Sequence, residues 1–224
     1  MRVQRFAIVF AELRRAPHVE IHTIQERLED FADVILTSFR DEIRQQTGIE
    51  LSPELMASMN VSNAAGVYWS YQIEDRRRGA GEFKLRHLRE VFLYETDPLW
   101  SDETPADRRP FLKSLRYFDY RPGAGDDKFA AFALTPGATP PPIWYWDRGD
   151  CSRMSLDYEG YLEALIVTKG VTDWQYLFCD VDWRAPRHRG LDQALRARLD
   201  ALVTLFPGHD YAPYYARLPG GGAR

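Results

Sequence analysis

Two aspartates and a histidine in the last quarter of the chain have the side chains that a metal-dependent hydrolase needs. Asp180 and Asp182 flank Val181, so an extended backbone would place both carboxylates on one side. Such a pair could bind a divalent cation, and His188 follows six residues later. No phosphate-binding loop and no evident third ligand accompany them in the sequence, which favours exposed strand-end acids. A small hydrolase built on these three residues stays open as an alternative.

Other residues with reactive side chains are scattered. His18 and His22 have a possible i, i+4 spacing, but they precede the predicted helix cap Thr23, which favours a solvated segment over a metal pair. Cys151 and Cys179 would be nucleophiles only beside a base. Cys179 lies among apolar residues, which favours a small buried side chain. We therefore predict no catalytic residue, no metal and no cofactor.

A basic triplet, Arg76 to Arg78, resembles a phosphate-binding patch. It lacks the interleaved aromatic residues on which bases stack, so a solvated hairpin loop is the favoured interpretation. The formal net charge of −4 also argues against binding to nucleic acid or to an anionic membrane. An acidic domain is instead suited to a basic partner.

Aromatic residues interspersed with aspartates are the least ordinary feature of the second half. On a strand, Trp144 and Trp146 would share one face while Tyr145 points to the other. If the pair faces the core, it is packing; if it faces outward, tryptophan rimmed by carboxylates is typical of a protein-binding hot spot. Both alternatives stay open. The candidate partner-binding residues are Trp144, Trp146, Asp147, Asp150, Trp174, Asp180, Asp182 and Trp183.

The first long element predicted to support this surface is a helix that begins after Thr23. Glu26, three residues on, completes a capping box. An apolar stripe at spacings of three and four follows, and Gly48 can end the helix. The stripe consists of Ile24, Leu28, Phe31, Ile35, Phe39 and Ile43.

The rest of the chain alternates between strand and helix patterns. Strands are predicted over 65–73, 82–88, 115–121, 128–134 and 143–147, with a short one within 174–183. Shorter helices are predicted after Ser52, from Ser155 to near Gly170, and over 191–206, while 75–81 and 95–110 are predicted to be irregular. This order indicates an α+β fold: N-terminal helices packed on a twisted, mostly antiparallel sheet, with further helices in the C-terminal third.

Four motifs occur in an order that carries a resemblance. They are the Ser52-Pro53-Glu54-Leu55 helix before a strand that starts at Asn63, the hairpin of Phe118-Asp119-Tyr120 and Gly125-Asp126-Asp127-Lys128-Phe129, the strand Pro142-Ile143-Trp144-Tyr145-Trp146, and the helix that begins Ser155-Leu156-Asp157-Tyr158. Together they resemble the SUKH superfamily, which includes Smi/Knr-type regulators and many bacterial immunity proteins. The resemblance covers about residues 20–185 and leaves 186–218 as a helical extension of a single domain, residues 1–224.

The resemblance implies a bacterial immunity protein, which would bind a cognate toxin and perform no chemistry itself. The partner would be a basic toxin domain, met by the aromatic and acidic surface. A Smi/Knr-like regulatory scaffold with a cellular partner is the alternative within binding proteins.

Composition sets the expected environment. The chain has 224 residues, of which 45% are hydrophobic and 13% aromatic, enough for one domain with a sizeable core. Its two cysteines indicate no disulfide framework. The apolar run near Phe6 is too short for a signal peptide and is interrupted by Glu12, and no stretch reaches the roughly 20 apolar residues of a membrane span. We expect a soluble, cytoplasmic protein.

Overall fold

The computed structural model describes residues 2–27, 33–58, 64–74, 77–94, 99, 102–135 and 140–220. Helices and two antiparallel sheets, of three and four strands, make up the described part, which confirms the α+β class. The strands predicted to share one sheet are divided between the two. No described helix is long and apolar enough to cross a membrane.

The three-stranded sheet consists of β1 (Val19–Arg27), β2 (Ala64–Glu74) and β3 (Arg77–Lys84), in that order. Alternate side chains of β2 enter the main core, and Trp69 is fully buried there. Gly81 lies opposite Trp69 on β3, where an added Cβ would come within 2.5 Å of indole Cε2. The glycines of β3 therefore make room for the large rings of β2.

The four-stranded sheet consists of β4 (Leu115–Tyr120), β5 (Lys128–Ala133), β6 (Ile143–Asp147) and β7 (Asp150–Arg153), paired in sequence order. The predicted hairpin of β4 and β5 and the bounds of β6 are confirmed. The short strand β7 follows a two-residue turn at Arg148 and Gly149, both with positive φ, and was not predicted.

Helices cover the sheets and join them. They are α1 (Arg2–Arg15), α2 (Asp33–Thr47), α3 (Pro53–Ser58), α4 (Leu88–Leu93), α5 (Arg109–Ser114), α6 (Tyr158–Thr168), α7 (Leu191–Leu205) and α8 (Ala212–Tyr215), with 3₁₀ helices at Trp174–Phe178 and Pro186–His188. The N-terminal helix α1 was not predicted. It packs Phe6 and Phe10 against Phe83 of β3, so it forms part of the main core.

The prediction of a helix starting at Thr23 is wrong. Thr23, Ile24 and Glu26 belong to β1, where they pair with β2. The helix α2 begins only at Asp33, and Leu28 and Phe31 of the predicted stripe lie outside the described residues. Main-chain pairing with β2 extends from Val19 to Arg27, with one irregularity between Ile21 and Thr23, whereas a capping box satisfies only two main-chain donors.

Other element predictions are corrected in detail. The loop predicted over 75–81 is strand from Arg77 onward, and the return strand ends at Lys84 instead of residue 88. The segment 174–183 begins as a 3₁₀ helix instead of a strand. The cap of α6 is Asp157, whose carboxylate accepts from Gly160 N, and not Ser155.

Candidate functional site

The two tryptophans of β6 lie on the face of the four-stranded sheet that points away from the main core. Tyr145, between them, is 1% exposed and belongs to the main core. Trp146 belongs to a separate apolar cluster with Phe129, and Trp144 packs against that cluster. The prediction that the two tryptophans share a face is therefore confirmed.

A cover from the preceding segment lies over this tryptophan face. Phe111 of α5 meets Trp144 edge-on, with ring centroids 4.8 Å apart, and Leu99 joins the same cluster. Trp146 stacks on Phe129 and is only 6% exposed. The pair thus neither enters the main core nor stands free in solvent. Part of the segment predicted as an irregular connection, together with α5, forms its cover.

Truncating this cover with Phe111→Ala is expected to destabilise the protein and expose Trp144. Because Phe111 is itself only half-buried, the loss should be about 1–3 kcal/mol, below that of a fully buried phenylalanine. Urea unfolding measures the loss, and acrylamide quenching of tryptophan emission measures the exposure. Phe111→Leu keeps an apolar cover and should lose less than half as much. Unchanged quenching in Phe111→Ala would contradict the covering role.

Burial removes Trp174 and Trp146 from the set of exposed partner contacts. Trp174 is 0% exposed and packs between Tyr161 and Phe178, with centroids 4.9 and 6.0 Å away. This corrects the prediction for both tryptophans, because their large apolar surfaces are already used in packing. Trp183 is half-buried and packs against the main core.

Asp147 is fixed in an ion network. Its Oδ2 accepts from Tyr176 Oη at 2.6 Å and lies 3.2 Å from Lys128 Nζ, while its Oδ1 accepts from Arg148 Nε at 2.8 Å. Lys128 also pairs with Asp173 at 2.5 Å. Burial would raise the pKa of Asp147, but Tyr176 and the two cations outweigh it and lower the pKa. The carboxylate therefore ties β6 to the 3₁₀ helix that contains Tyr176.

The remaining predicted aspartates are exposed, and so are Arg184 and Arg187 in the same part of the chain. Asp150 lies 3.1 Å from Arg187 Nη1, and the Asp182 carboxylate accepts from the main-chain N of Arg184 at 2.9 Å. Asp180 is exposed on the same connection. The surface predicted to be acidic thus carries charges of both signs.

His188 does not meet the carboxylates of the alternative hydrolase site. The ring is 4% exposed, its Nδ1 lies 2.7 Å from the main-chain O of Asp182, and its Nε2 accepts from Arg187 Nε at 3.3 Å. Both nitrogens are therefore engaged. Within the described residues, no three His, Cys, Asp or Glu side chains are grouped to hold a metal ion.

Both cysteines are free. Burial raises the pKa of Cys151 to about 12 and that of Cys179 further still. Both are therefore neutral thiols at physiological pH, which leaves no activated nucleophile at either position.

A groove of about 580 Å³ opens beside the three-stranded sheet. All three strands line it, together with the turn between β4 and β5. The lining residues are Thr23, Ile24, Gln25, Gly66, Val67, Glu82, Phe83, Lys84, Pro122 and Gly123. Its volume is within the range of about 300–1,000 Å³ that is usual for ligand pockets.

The acidic residue in the groove holds its wall in place. Glu82 is 3% exposed, and its two carboxylate oxygens accept from the main-chain N of Gly123 at 2.6 Å and of Ala124 at 2.7 Å. A Cβ on Gly123 would lie 2.9 Å from Tyr68, so the turn sits directly on that ring. Glu82 is therefore engaged in positioning the turn.

A second buried acid, Asp119, lies behind Lys84. Its Oδ1 accepts from the main-chain N of Lys84 at 2.9 Å, and its Oδ2 accepts from Tyr161 Oη at 2.7 Å. Burial is the largest influence on this carboxyl and raises its pKa to about 7, although Tyr161 and Lys84 oppose the rise. Asp119 thus joins the two sheets to α6 through a group that titrates near neutrality.

The strand β1 borders the groove and forms the outer edge of its sheet. It pairs with β2 on one side, and no main-chain group of the described residues pairs with its other side. Its side chains Glu20, His22, Thr23 and Ile24 are exposed. An edge of nine residues is long compared with the usual five or six, and its free N–H and C=O groups can accept another strand.

A histidine and a serine meet on the outer face of this sheet. His22 Nε2 lies 2.8 Å from Ser70 Oγ, and the His22 ring packs on Tyr68 at 4.8 Å between centroids. Glu20 lies 3.8 Å from His22 Nδ1, too far for the hydrogen bond that orients a catalytic imidazole. The pair is therefore an exposed polar contact beside the open edge.

Sequence reasoning missed both the open edge and the groove. Val19 and Ile21 alternate with Glu20 and His22, a period of two that indicates a strand and could have identified β1. The groove gave no local signal, because its walls come from four separate segments.

No family model, curated protein or solved structure matches this chain. The α+β class therefore stands on the structure itself. Membership of the SUKH superfamily stays a prediction from four motifs in order, and the function has to be argued from the surface just described.

Proposed function

We propose that this protein acts by binding another protein, which adds an extended segment to the outer edge of β1. The observation that carries the proposal is the outer edge of β1, a nine-residue strand on which Glu20, His22, Thr23 and Ile24 are exposed and with which no described main-chain group pairs on that side. Strand addition provides main-chain hydrogen bonds along such an edge, and pockets for alternate side chains provide specificity.

The groove supports this mode of binding because it starts at the same strand. Thr23, Ile24 and Gln25 belong to both the edge and the groove lining. In an added strand, every second side chain points to the face on which the groove lies. There it would meet Lys84, whose Nζ lies 5.3 Å from the centroid of the Tyr120 ring.

The acids around the groove support binding over catalysis. Glu82 uses both oxygens to hold the Gly123 turn, and Asp119 is buried behind the strand. Among the residues that the structure describes, no acid forms the hydrogen bond that would orient His22. We therefore propose a non-enzymatic binding domain.

Ile24→Lys is expected to weaken partner binding at least tenfold, because a charged lysine on an edge strand opposes the addition of another strand. This corresponds to a loss of about 1.4 kcal/mol or more in binding free energy. The probe is an extended peptide selected on this protein from a random display library, with affinity measured by calorimetry. Val203→Lys is the matched control, since Val203 is a similarly exposed apolar residue on α7, 42% against 37%. It should change the affinity less than twofold. Equal losses in both variants, or NMR shifts away from β1, would refute the edge as the binding site.

The immunity role is the partner-specific form of this proposal, and the family resemblance supports it. The surface around Asp150 and Asp182 carries both positive and negative charges. Recognition of a basic toxin would therefore depend more on complementary shape than on attraction to a uniformly negative surface. Rescue of cells that express a toxin encoded beside this protein tests it. Rescue that is lost in Ile24→Lys supports immunity through the edge, whereas no rescue favours the regulatory scaffold.

A further inference from the structure

Lys169 is a fully buried lysine at the end of α6, and its ammonium has three acceptors. Nζ donates to Ile166 O at 2.6 Å, lies 2.8 Å from Glu12 Oε2 and lies 3.0 Å from His209 Nε2. An ammonium has three N–H groups, so these contacts satisfy it completely. Complete satisfaction is the condition under which a charge can be buried.

The partners of Lys169 tie together distant parts of the chain. Glu12 belongs to α1, whereas His209 follows α7, 197 residues later. The Phe206 ring lies 5.4 Å from Lys169 Nζ. The cluster therefore fastens the C-terminal segment, residues 207–220, to α1 and to the end of α6.

His209 presents one nitrogen to both charged neighbours. Its Nε2 lies 3.0 Å from Lys169 Nζ and 3.0 and 3.1 Å from the two carboxylate oxygens of Glu12. A neutral ring with its proton on Nδ1 can accept from the ammonium, but a protonated ring can only donate, towards Glu12. Protonation therefore removes one of the three acceptors of Lys169 and places a second cation beside it.

The two charged neighbours face the same nitrogen of His209: Glu12 can accept from a protonated ring, whereas Lys169 would be repelled by it. Burial lowers the pKa of Lys169 and is opposed by Glu12. Burial would raise the pKa of Glu12, but Lys169 and His209 outweigh it and lower the pKa. Protonating His209 in the closed form therefore costs a buried ammonium one of its acceptors.

The other titratable groups near the ring do not replace that acceptor. Tyr211 packs on His209 at 6.2 Å between centroids, and burial with the charge of Glu12 raises its pKa, so it stays neutral. The carboxylate of Asp210 accepts from the main-chain N of Ala212. Among the described residues, no further acid contacts Lys169 Nζ.

We propose that His209 is a proton switch whose neutral form holds the C-terminal segment against α1 through Lys169, and whose protonation releases that segment. Imidazole is suited to this role because its charge changes between about pH 5 and 8. Release would expose Tyr211, Tyr214 and Leu218, which are 4%, 9% and 3% exposed in the closed form. The switch is independent of binding at β1.

Hydrogen exchange measured at about pH 7.5 and 5.5, corrected for the intrinsic pH dependence of exchange, tests the switch. Amides of 209–218 should lose protection about tenfold or more at the lower pH, relative to the amides of β5. His209→Gln keeps an acceptor but cannot be protonated, so its protection should not depend on pH. His22→Gln, at an exposed histidine outside the cluster, should behave like the wild type.

Protection of these amides that is independent of pH in the wild type would overturn the proposal. An equal loss of protection at the lower pH in His209→Gln would overturn it as well. If the glutamine variant does not fold, NMR titration of the wild type decides. The ring of His209 and the amides of Tyr211 and Tyr214 must then titrate with one midpoint, and separate midpoints would overturn the switch.

Discussion

Gly81→Ala is expected to destabilise the protein by about 2–4 kcal/mol, because a new methyl group would force Trp69 out of its site. The Cβ would lie 2.5 Å from indole Cε2 and 2.7 Å from Cζ2, and Trp69 is fully buried. Its Nε1 donates to Lys169 O at 2.8 Å, so displacement also leaves a buried donor unpaired. A loss of this size is a large part of the roughly 5–15 kcal/mol that stabilises a domain.

Urea unfolding at neutral pH measures this loss, with two variants that isolate its cause. Gly208→Ala adds the same methyl group where no atom lies within 4 Å, and should change stability by about 0.5 kcal/mol at most. In a double-mutant cycle, Trp69→Phe should reduce the cost of Gly81→Ala, since the smaller ring leaves space. Gly81→Ala with wild-type stability would mean that Trp69 can move without cost.

Local sequence signals located the elements whose ends are set by local chemistry. The bounds of β6 follow from Pro142 before the strand and Gly149 after it, and the bounds of the β4–β5 hairpin follow from the turn around Gly123. The apolar spacing of Leu195, Leu199 and Leu202 located α7 in the same way. These signals act over a few residues, so they can be read without knowing the fold.

Non-local pairing decided the region where local signals conflict. Thr23 and Glu26 match a capping box, while Val19 and Ile21 alternate as in a strand. Ile21 pairs with Trp69 on β2, and that distant ladder makes the region a strand. The sequence holds both patterns, and only the partner strand determines which one prevails.

The candidate site was less predictable than the fold because its contacts join distant residues. Glu82 reaches Gly123 across 41 positions, and Lys169 reaches Glu12, which is far more remote along the chain. The tryptophans were singled out by composition, yet composition could not show that Phe111 covers Trp144. Burial is a property of the assembled surface, so residue type alone indicated the aromatic cluster but not its exposure.

Asp119→Asn is expected to remove a fall in stability that the wild type shows as pH rises from about 4 to about 7. Burial raises the folded-state pKa of Asp119 from 3.8 to about 7, so the unfolded chain releases this proton first. The stabilising contribution of the protonated form is therefore complete below about pH 4 and lost as pH rises through the folded-state pKa. A shift of about three units corresponds to a change of up to about 4 kcal/mol between these limits.

Asparagine can keep the local contacts while staying neutral. Its Oδ1 can accept from Lys84 N, and its Nδ2 can donate to Tyr161 Oη, which can then donate to Gln175 if that amide turns over. Unfolding by urea at several pH values gives the difference in the free energy of unfolding between variant and wild type. Glu12 and Asp147, whose lowered pKa values have the opposite effect on stability, are present in both proteins, so their contributions cancel in this difference. The variant should gain stability relative to the wild type as pH rises.

Tyr161→Phe provides the complementary test of the same carboxyl group. It removes a hydrogen bond that favours the anion, so the folded-state pKa of Asp119 should rise further and the loss of stability should extend to higher pH. A difference between Asp119→Asn and wild type that does not change with pH would show that Asp119 is ionised in the fold throughout. The contact between the two sheets and α6 would then be made by a buried carboxylate anion instead of a protonated carboxyl group.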